Sequence, residues 1–385
     1  CRVLADFVRI MEGYRVDAYR AMASSAISEA ANSLYVLGKI RQLTGLSVTV
    51  LSNSEQRFLG YKALAAMEDN FNKIIEKGTA ILDLDGGSFQ ISLFDKDALV
   101  TTQNIRMGSL RIRERLAGIQ SETEHYEEMV EELIWNEVSS FKKMYLKDRK
   151  IENIMLIGDV FTDSVYQNIE EKTTKIISRE NFNTWYEKII RQSPMELAVK
   201  LGIPLENASL MYPSAVIYKC LIDMMGAEHI WIPGVHMTRG IAYEYAEQMK
   251  LLKGGHNFEN DILMAAKNIG KRYAVNRPHV QNLEMTALAM FDATKKMHGM
   301  KERERLLLQM AVMLHDVGKY ISFNNVADSS YNIIMSNEII GLSHIEREMV
   351  ALIARYNTVT LPSYDELVME SSLSAEQYLT VSELT

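Results

Sequence analysis

"ILDLDGGSFQISLF", residues 81 to 94, carries a strand into an acidic, glycine-rich turn and straight out again as a second strand. Gly86 and Gly87 let backbone N–H groups come close to a ligand, and successive N–H groups in such a turn form a concavity suited to phosphate. Asp83 and Asp85 stand where the first strand ends, positioned to hold a metal or its water beside that anion, and Ser88 adds a hydroxyl donor. The same residues satisfy a plainer reading, because Asp-Gly is a standard type I′ hairpin signal and the turn then only reverses the chain. On this stretch alone both readings stand.

The rest of the composition narrows the field. At 385 residues the chain exceeds one compact core of usual size, which predicts two or three domains. Hydrophobic residues at 47% and charged residues at 24% describe a globular protein rather than a disordered one. A net charge of -8, spread without long single-sign blocks, argues against a dedicated nucleic-acid binder and leaves room for a local basic groove. Cys1 and Cys220 are the only cysteines, so no disulfide framework is expected and a reducing cytoplasm fits. No apolar run reaches the roughly 18 residues a membrane span needs, and no signal peptide pattern opens the chain. Cys1 and Thr385 both fall inside helical patterns, which makes either end a candidate truncation.

Along the chain, "VDAYRAMA" (16–23) and "SVTVLS" (47–52) read as strands, while 25–43 and 54–75 carry apolar residues at helical spacing. That alternation predicts a mainly parallel sheet covered by helices. The hairpin is followed by "ALVTTQNI", helices near 109–117 and 123–145, a strand "NIMLIG" (153–158) and a strand "HIWIPGV" (229–235). "LLKGGHN" (251–257) is the best linker, and beyond it the pattern is helical until "LPSYDE". The 23 methionines, as in "MTALAM" and "MAVMLH", read as adaptable core filling.

The hairpin closely resembles the "DIGGGSTE" phosphate loop of the exopolyphosphatase and guanosine pentaphosphate phosphohydrolase family, relatives of actin and the sugar kinases. Further segments follow in the family's order: "AMASSAISEAANS" (21–33), "VLSNSEQRFLGY" (50–61), "IRMGSLRIRERL" (105–116), "LENASLMYPSAVIY" and "TRGIAYE". "RPHVQNLEMTALAMFDATKKMHG" with "ERLLLQMAVMLHDVGKYISF" looks like the HD-type helical domain of the longer members. The resemblance covers nearly the whole chain. It implies an α/β fold of two actin-like (ribonuclease H-like) lobes, 1–80 and 81–250, followed by an all-α HD-like domain at 256–385. The first lobe lacks the phosphate loop that normally precedes it.

The resemblance also implies roles. Removing the end phosphate of inorganic polyphosphate requires charge neutralisation, an in-line water and a base. Glu55 matches the family's water-activating glutamate, allowing one deletion before it; as a plain sequence feature it is an acidic residue in a helix's first turn. Asp83 would hold Mg2+. Asp85, Gly86, Gly87 and Ser88 would cradle the terminal phosphate together with Gly158, and Arg111 would flank the substrate channel with Arg106, Arg113 and Arg115. Guanosine pentaphosphate is the expected second substrate and a homodimer the expected assembly.

Several residues depart from the pattern. Gln90 replaces the glutamate that closes "GGGSTE", Ser28 replaces an arginine, and "GDVFTD" (158–163) puts Val160 and Phe161 where the second glycine-rich loop has small residues. These departures favour a non-catalytic phosphate or nucleotide sensor. A third reading places chemistry in the helical domain, where His279, His315 and Asp316 match three positions of the metal-binding HD pattern; Ser329 stands where a further histidine is expected. Lys271, Arg272 and Tyr273 either extend a basic path or solvate a helix.

Overall fold

A computed structural model describes residues 1–24, 27, 30–67, 70–116, 126–158, 160–167, 175–252 and 255–385. Eight strands are present among them: β1 (Ala21–Ala23), β2 (Val48–Val50), β3 (Thr79–Leu84), β4 (Phe89–Asp95), β5 (Ala98–Ile105), β6 (Asn153–Ile157), β7 (Ile176–Ser178) and β8 (His229–Trp231). β1 and β2 pair in parallel as a two-stranded sheet. The helix Ser33–Thr44 lies between them in the chain, as a parallel crossover requires.

The other six strands form one sheet in the order β5-β4-β3-β6-β8-β7. β3, β4 and β5 are an antiparallel meander, and β6 and β8 then add in parallel. This order is that of a ribonuclease H-like lobe, as the resemblance implies. Two sequence expectations contract and one strand was not foreseen. The strand at 16–23 shrinks to Ala21–Ala23, because only these residues find partners in β2. The strand at 229–235 ends at Trp231, two residues before Pro233, which has no N–H to give a ladder. β7 is a short edge strand, antiparallel to β8, that no periodicity announced.

Period-2 alternation gives the two sheet faces different tasks. Ala80, Leu82 and Leu84 of β3, Phe89, Ile91 and Leu93 of β4, and Ile154 and Leu156 of β6 are buried in one cluster. They pack there with residues of the helices Tyr126–Phe141, Arg179–Ile190 and Leu205–Met225. Ile81, Phe94, Met155 and Ile157 join the opposite cluster with Tyr61, Ala63 and Leu64 of the helix Asn53–Met67. Asp83 follows Ile81 by two and therefore faces the Asn53–Met67 helix. Register sets Gln90 opposite Asp83, and Asn104 opposite Gln90, in one polar row across three strands. The helix Met237–Gln248 crosses the Asn53–Met67 helix so closely that a Cβ on Gly240 would lie 1.9 Å from the Leu59 carbonyl oxygen.

Beyond the linker every element is helical: Phe258–Arg272, Arg277–His298, Glu302–Leu314, a 3-10 turn at Val317–Tyr320, Val326–Ser336, His344–Tyr356, Tyr364–Leu367 and Ala375–Leu384. Ile262, Ala266, Leu307, Met310, Val350 and Leu352 belong to the same hydrophobic cluster as Tyr61, Ile81 and Met155. The core is thus continuous from the helical region through the Asn53–Met67 helix to the sheet. No helix among the described residues is long and apolar enough to cross a membrane.

Candidate active site

The β3–β4 turn is braced from both sides. Asp85 N–H donates to the Ser88 carbonyl at 3.0 Å, and the first amides of the helix Ser109–Leu116 donate to the turn: Ser109 to the Asp85 carbonyl at 3.3 Å, Leu110 and Arg111 to the Gly86 carbonyl at 3.0 and 3.2 Å. Gly108 is required there, since a Cβ would lie 2.3 Å from the Asp85 carbonyl oxygen. The Arg111 Nε comes to 4.0 Å from the Cβ position of Gly87, which places that guanidinium beside the turn.

Arg57, which sequence reasoning passed over, supplies the central cation. It is 2% exposed and enters from the Asn53–Met67 helix. Its Nη1 donates to the Asp83 carbonyl at 2.6 Å and lies 3.3 Å from Asp83 Oδ1. Its Nη2 reaches Ser88 Oγ at 2.7 Å, Asp85 Oδ2 at 3.2 Å and the Ser88 carbonyl at 3.3 Å. A plain hairpin has no use for a buried guanidinium bonded to both flanking carboxylates. The available signal was the arginine directly before the apolar stretch Phe58, Leu59 and Tyr61 of that helix.

Asp83 keeps 17% of its side-chain surface, yet burial pushes its carboxyl above the ordinary carboxylate range. Arg57 pulls it down and Asp85 pushes it up again. Gly60 and Gly158 wall the group in: their Cβ positions would lie 3.6 Å from Asp83 Oδ2 and 2.8 Å from Asp83 Oδ1. Gly158 takes φ +118°, which only glycine adopts freely. A partly compensated carboxylate with hard oxygen donors suits a divalent cation, so the residues at Asp83 fit one. Gln90, 5% exposed, offers a neutral amide on the same face.

Three expectations are corrected by the geometry. The amides of Gly87 and Ser88 are not open: both donate to Asp85 Oδ1, at 2.7 and 2.9 Å. Glu55 is not gathered with Asp83. Its Oε2 accepts from Ser52 N–H at 2.9 Å and Ser52 Oγ at 2.7 Å, while Ser52 Oγ accepts from Glu55 N–H at 3.3 Å, a reciprocal cap. Glu55 and Arg57 are two apart on one helix, about 200° around it, so they cannot face the same point. The glutamate instead lines a cleft of 620 Å³ with Ser343, His344, Glu346 and Gln377, and no residue of the 83–88 turn lines that cleft. Arg113 is turned away, donating to Ser209 Oγ at 2.6 Å, and Arg106 and Arg115 are exposed. Ser28 and Asp159 of "GDVFTD" lie outside the described residues.

The helical region brings its three expected ligands together. One donor atom each from His279, His315 and Asp316 lie within 4.8 Å of one another, beside a cavity of 340 Å³ that Lys319 and Asn357 also line. His315 Nδ1 donates to the Val312 carbonyl at 2.7 Å, which fixes the tautomer and leaves Nε2 its lone pair. Lys319 Nζ holds Asp316 Oδ2 at 2.5 Å and competes with a cation for it. The donor set fits a divalent metal. Arg272 is no free basic path: it donates to Asn337 Oδ1 at 3.2 Å and stacks on Tyr145, 4.7 Å from its ring centre.

A ribonuclease H-like sheet whose first turn sets paired carboxylates against a neighbouring helix has the architecture of the actin-like class. The Ppx/GppA phosphatase family profile matches residues 1–249, and that of the Ppx/GppA phosphatase domain III matches 263–384; the chain belongs to this family. As a member of that family it is a phosphatase-type hydrolase. It is similar to the guanosine-5'-triphosphate,3'-diphosphate pyrophosphatase of Photobacterium profundum, 20% identical over 379 residues that span 97% of this chain and 72% of that protein. Among solved structures it shares its fold with an exopolyphosphatase from Cytophaga hutchinsonii (TM-score 0.55, 15% identity, 64% of this chain and 80% of that one). The Aquifex aeolicus family member is comparable (TM-score 0.52, 16% identity, 66% of this chain and 81% of that one). Hydrolysis of such polyanions draws on a divalent cation.

Proposed function

We propose that the chain releases terminal phosphate from inorganic polyphosphate, with guanosine pentaphosphate as a second substrate, at the Asp83 turn and with Mg2+ as the cation. The observation that carries this reading is the buried Arg57 joining Asp83, Asp85 and Ser88, which gathers a cation, hard oxygen ligands and a hydroxyl at one turn. Asp83 would hold Mg2+, which supplies charge neutralisation and an activated water. Arg57 and Arg111 would orient the phosphate, with the turn amides, Ser88 and Gly158 beside it. The role of Glu55 as base is proposed from the resemblance alone, since its carboxylate faces the 620 Å³ cleft rather than the Asp83 turn. The domains are proposed as 1–80, 81–250 and 256–385, in a cytoplasmic homodimer.

Glu55→Gln tests the base. Glutamine still accepts from Ser52, so the helix keeps its cap and the thermal midpoint should hardly move, whereas phosphate release from long-chain polyphosphate should fall by about 10²–10⁴-fold. Undiminished release would remove Glu55 from the mechanism.

A second reading follows from the imidazole–carboxylate trio: His279, His315 and Asp316 bind a divalent metal of their own. Titration of Mn2+ or Zn2+ into the protein should reveal a site that His315→Ala abolishes, with phosphate release from polyphosphate unchanged. Loss of that release in His315→Ala, with Glu55→Gln still active, would move the hydrolytic centre to the helical region.

A further inference from the structure

We propose that the Asp85 carboxylate is a resident competitor for the phosphate oxyanion, occupying the turn's donors until substrate displaces it and expelling the product afterwards. The inference rests on the reading of the Asp83 turn as the phosphate site.

Two backbone amides of the turn and one guanidinium nitrogen that would grip a terminal phosphate are turned onto one side chain. Asp85 Oδ1 takes the amides of Gly87 and Ser88, at 2.7 and 2.9 Å, and Oδ2 takes Arg57 Nη2 at 3.2 Å. Two adjacent backbone amides and a guanidinium are a general oxyanion receptor, and here a carboxylate sits in it. Each amide has one proton to give. A phosphate oxygen and Oδ1 cannot both accept it at these lengths, and two anions placed together repel. Ligand entry therefore requires the Asp85 side chain to rotate out.

The arrangement exceeds what a turn requires. An aspartate that only shapes a hairpin needs its two amides and nothing more. Here the second oxygen is tied to an arginine 28 residues away in sequence, buried at 2% exposure, whose Nε is itself buried without a partner. In the "DIGGGSTE" motif that the stretch resembles, a glycine stands at this position, so the competing carboxylate is a feature of this chain's "DLDGGSFQ".

The functional consequence is exchange. A self-filled receptor raises the concentration of substrate needed and lowers affinity for orthophosphate, so the product leaves without a large rearrangement of the backbone.

Inorganic phosphate is the probe, since it binds without being turned over. Asp85→Ala and Asp85→Asn are titrated with it by calorimetry, and the Gly87 and Ser88 amides are followed by nuclear magnetic resonance. Asparagine keeps an oxygen for the two amides, so the turn survives even where alanine disturbs it. Both variants should bind phosphate more tightly than the wild type, Asp85→Ala by about tenfold and Asp85→Asn by a smaller factor, with the Gly87 and Ser88 resonances moving on titration. Folded variants whose affinity matches that of the wild type, with wild-type binding intact, would overturn the competitor and leave the phosphate site standing. Absence of binding in the wild type and both variants, with the two amides unmoved, would overturn the phosphate site and the competitor with it.

Discussion

Asp83→Asn is expected to cut phosphate release by at least about a thousandfold, the rate equivalent of several kcal/mol of lost charge stabilisation. It should do so without weakening the fold at neutral pH. Burial raises the native proton affinity of Asp83 above that of the unfolded chain, Arg57 notwithstanding. A carboxyl shifted upward in this way destabilises the native state progressively as pH rises from the unfolded value to the native one, and by a constant amount above both. Asparagine removes that cost. The difference in thermal midpoint between Asp83→Asn and the wild type should therefore be largest at neutral pH and close as pH falls below the ordinary carboxylate range. A variant that is inactive and also markedly less stable at pH 7 would show Asp83 to be a structural anchor.

Arg57→Met should have the largest effect on stability. The guanidinium is 2% exposed and bonded to Asp83, Asp85 and Ser88, so its removal leaves two carboxylates facing each other across a desolvated turn. Breaking a buried pair from one side costs about 3–5 kcal/mol, readable as a fall in the denaturant midpoint. Arg57→Lys should recover part of it, restoring the charge without the fork that serves several oxygens at once. Combining Arg57→Met with Asp83→Asn should cost less than the sum of the two, because the second change removes a charge the first left unpaired. Strict additivity would mean that the guanidinium serves the helix alone.

How much of this could be read in the residues depends on the range of the interaction. The hairpin and its flanking strands were legible because alternating apolar residues and paired glycines are local signals, and the helical region because its spacing repeats over many turns. β7 was not: three residues at a sheet edge carry no period. Asp83 was recognisable from its place before the glycines. Arg57 was not, since an arginine on a helix ordinarily faces water, and only the approach of that helix to the turn encloses it. Glu55 shows the reverse error. Its spacing from Ser52 is a helix cap first, and that local bond turns it away from the turn. The self-filling of the cradle by Asp85 depends on backbone angles that composition does not encode.

The apolar interior shared by the sheet and the C-terminal helices makes Tyr61 and Ile81 neighbours in kind to Met310 and Val350. Groups at the rim of that interior, Asp83 among them, are backed by segments more than two hundred residues downstream. The terminal helices are therefore not a detachable module that could be exchanged between relatives at will, since any graft must also rebuild the back of the lobe on which Asp83 stands.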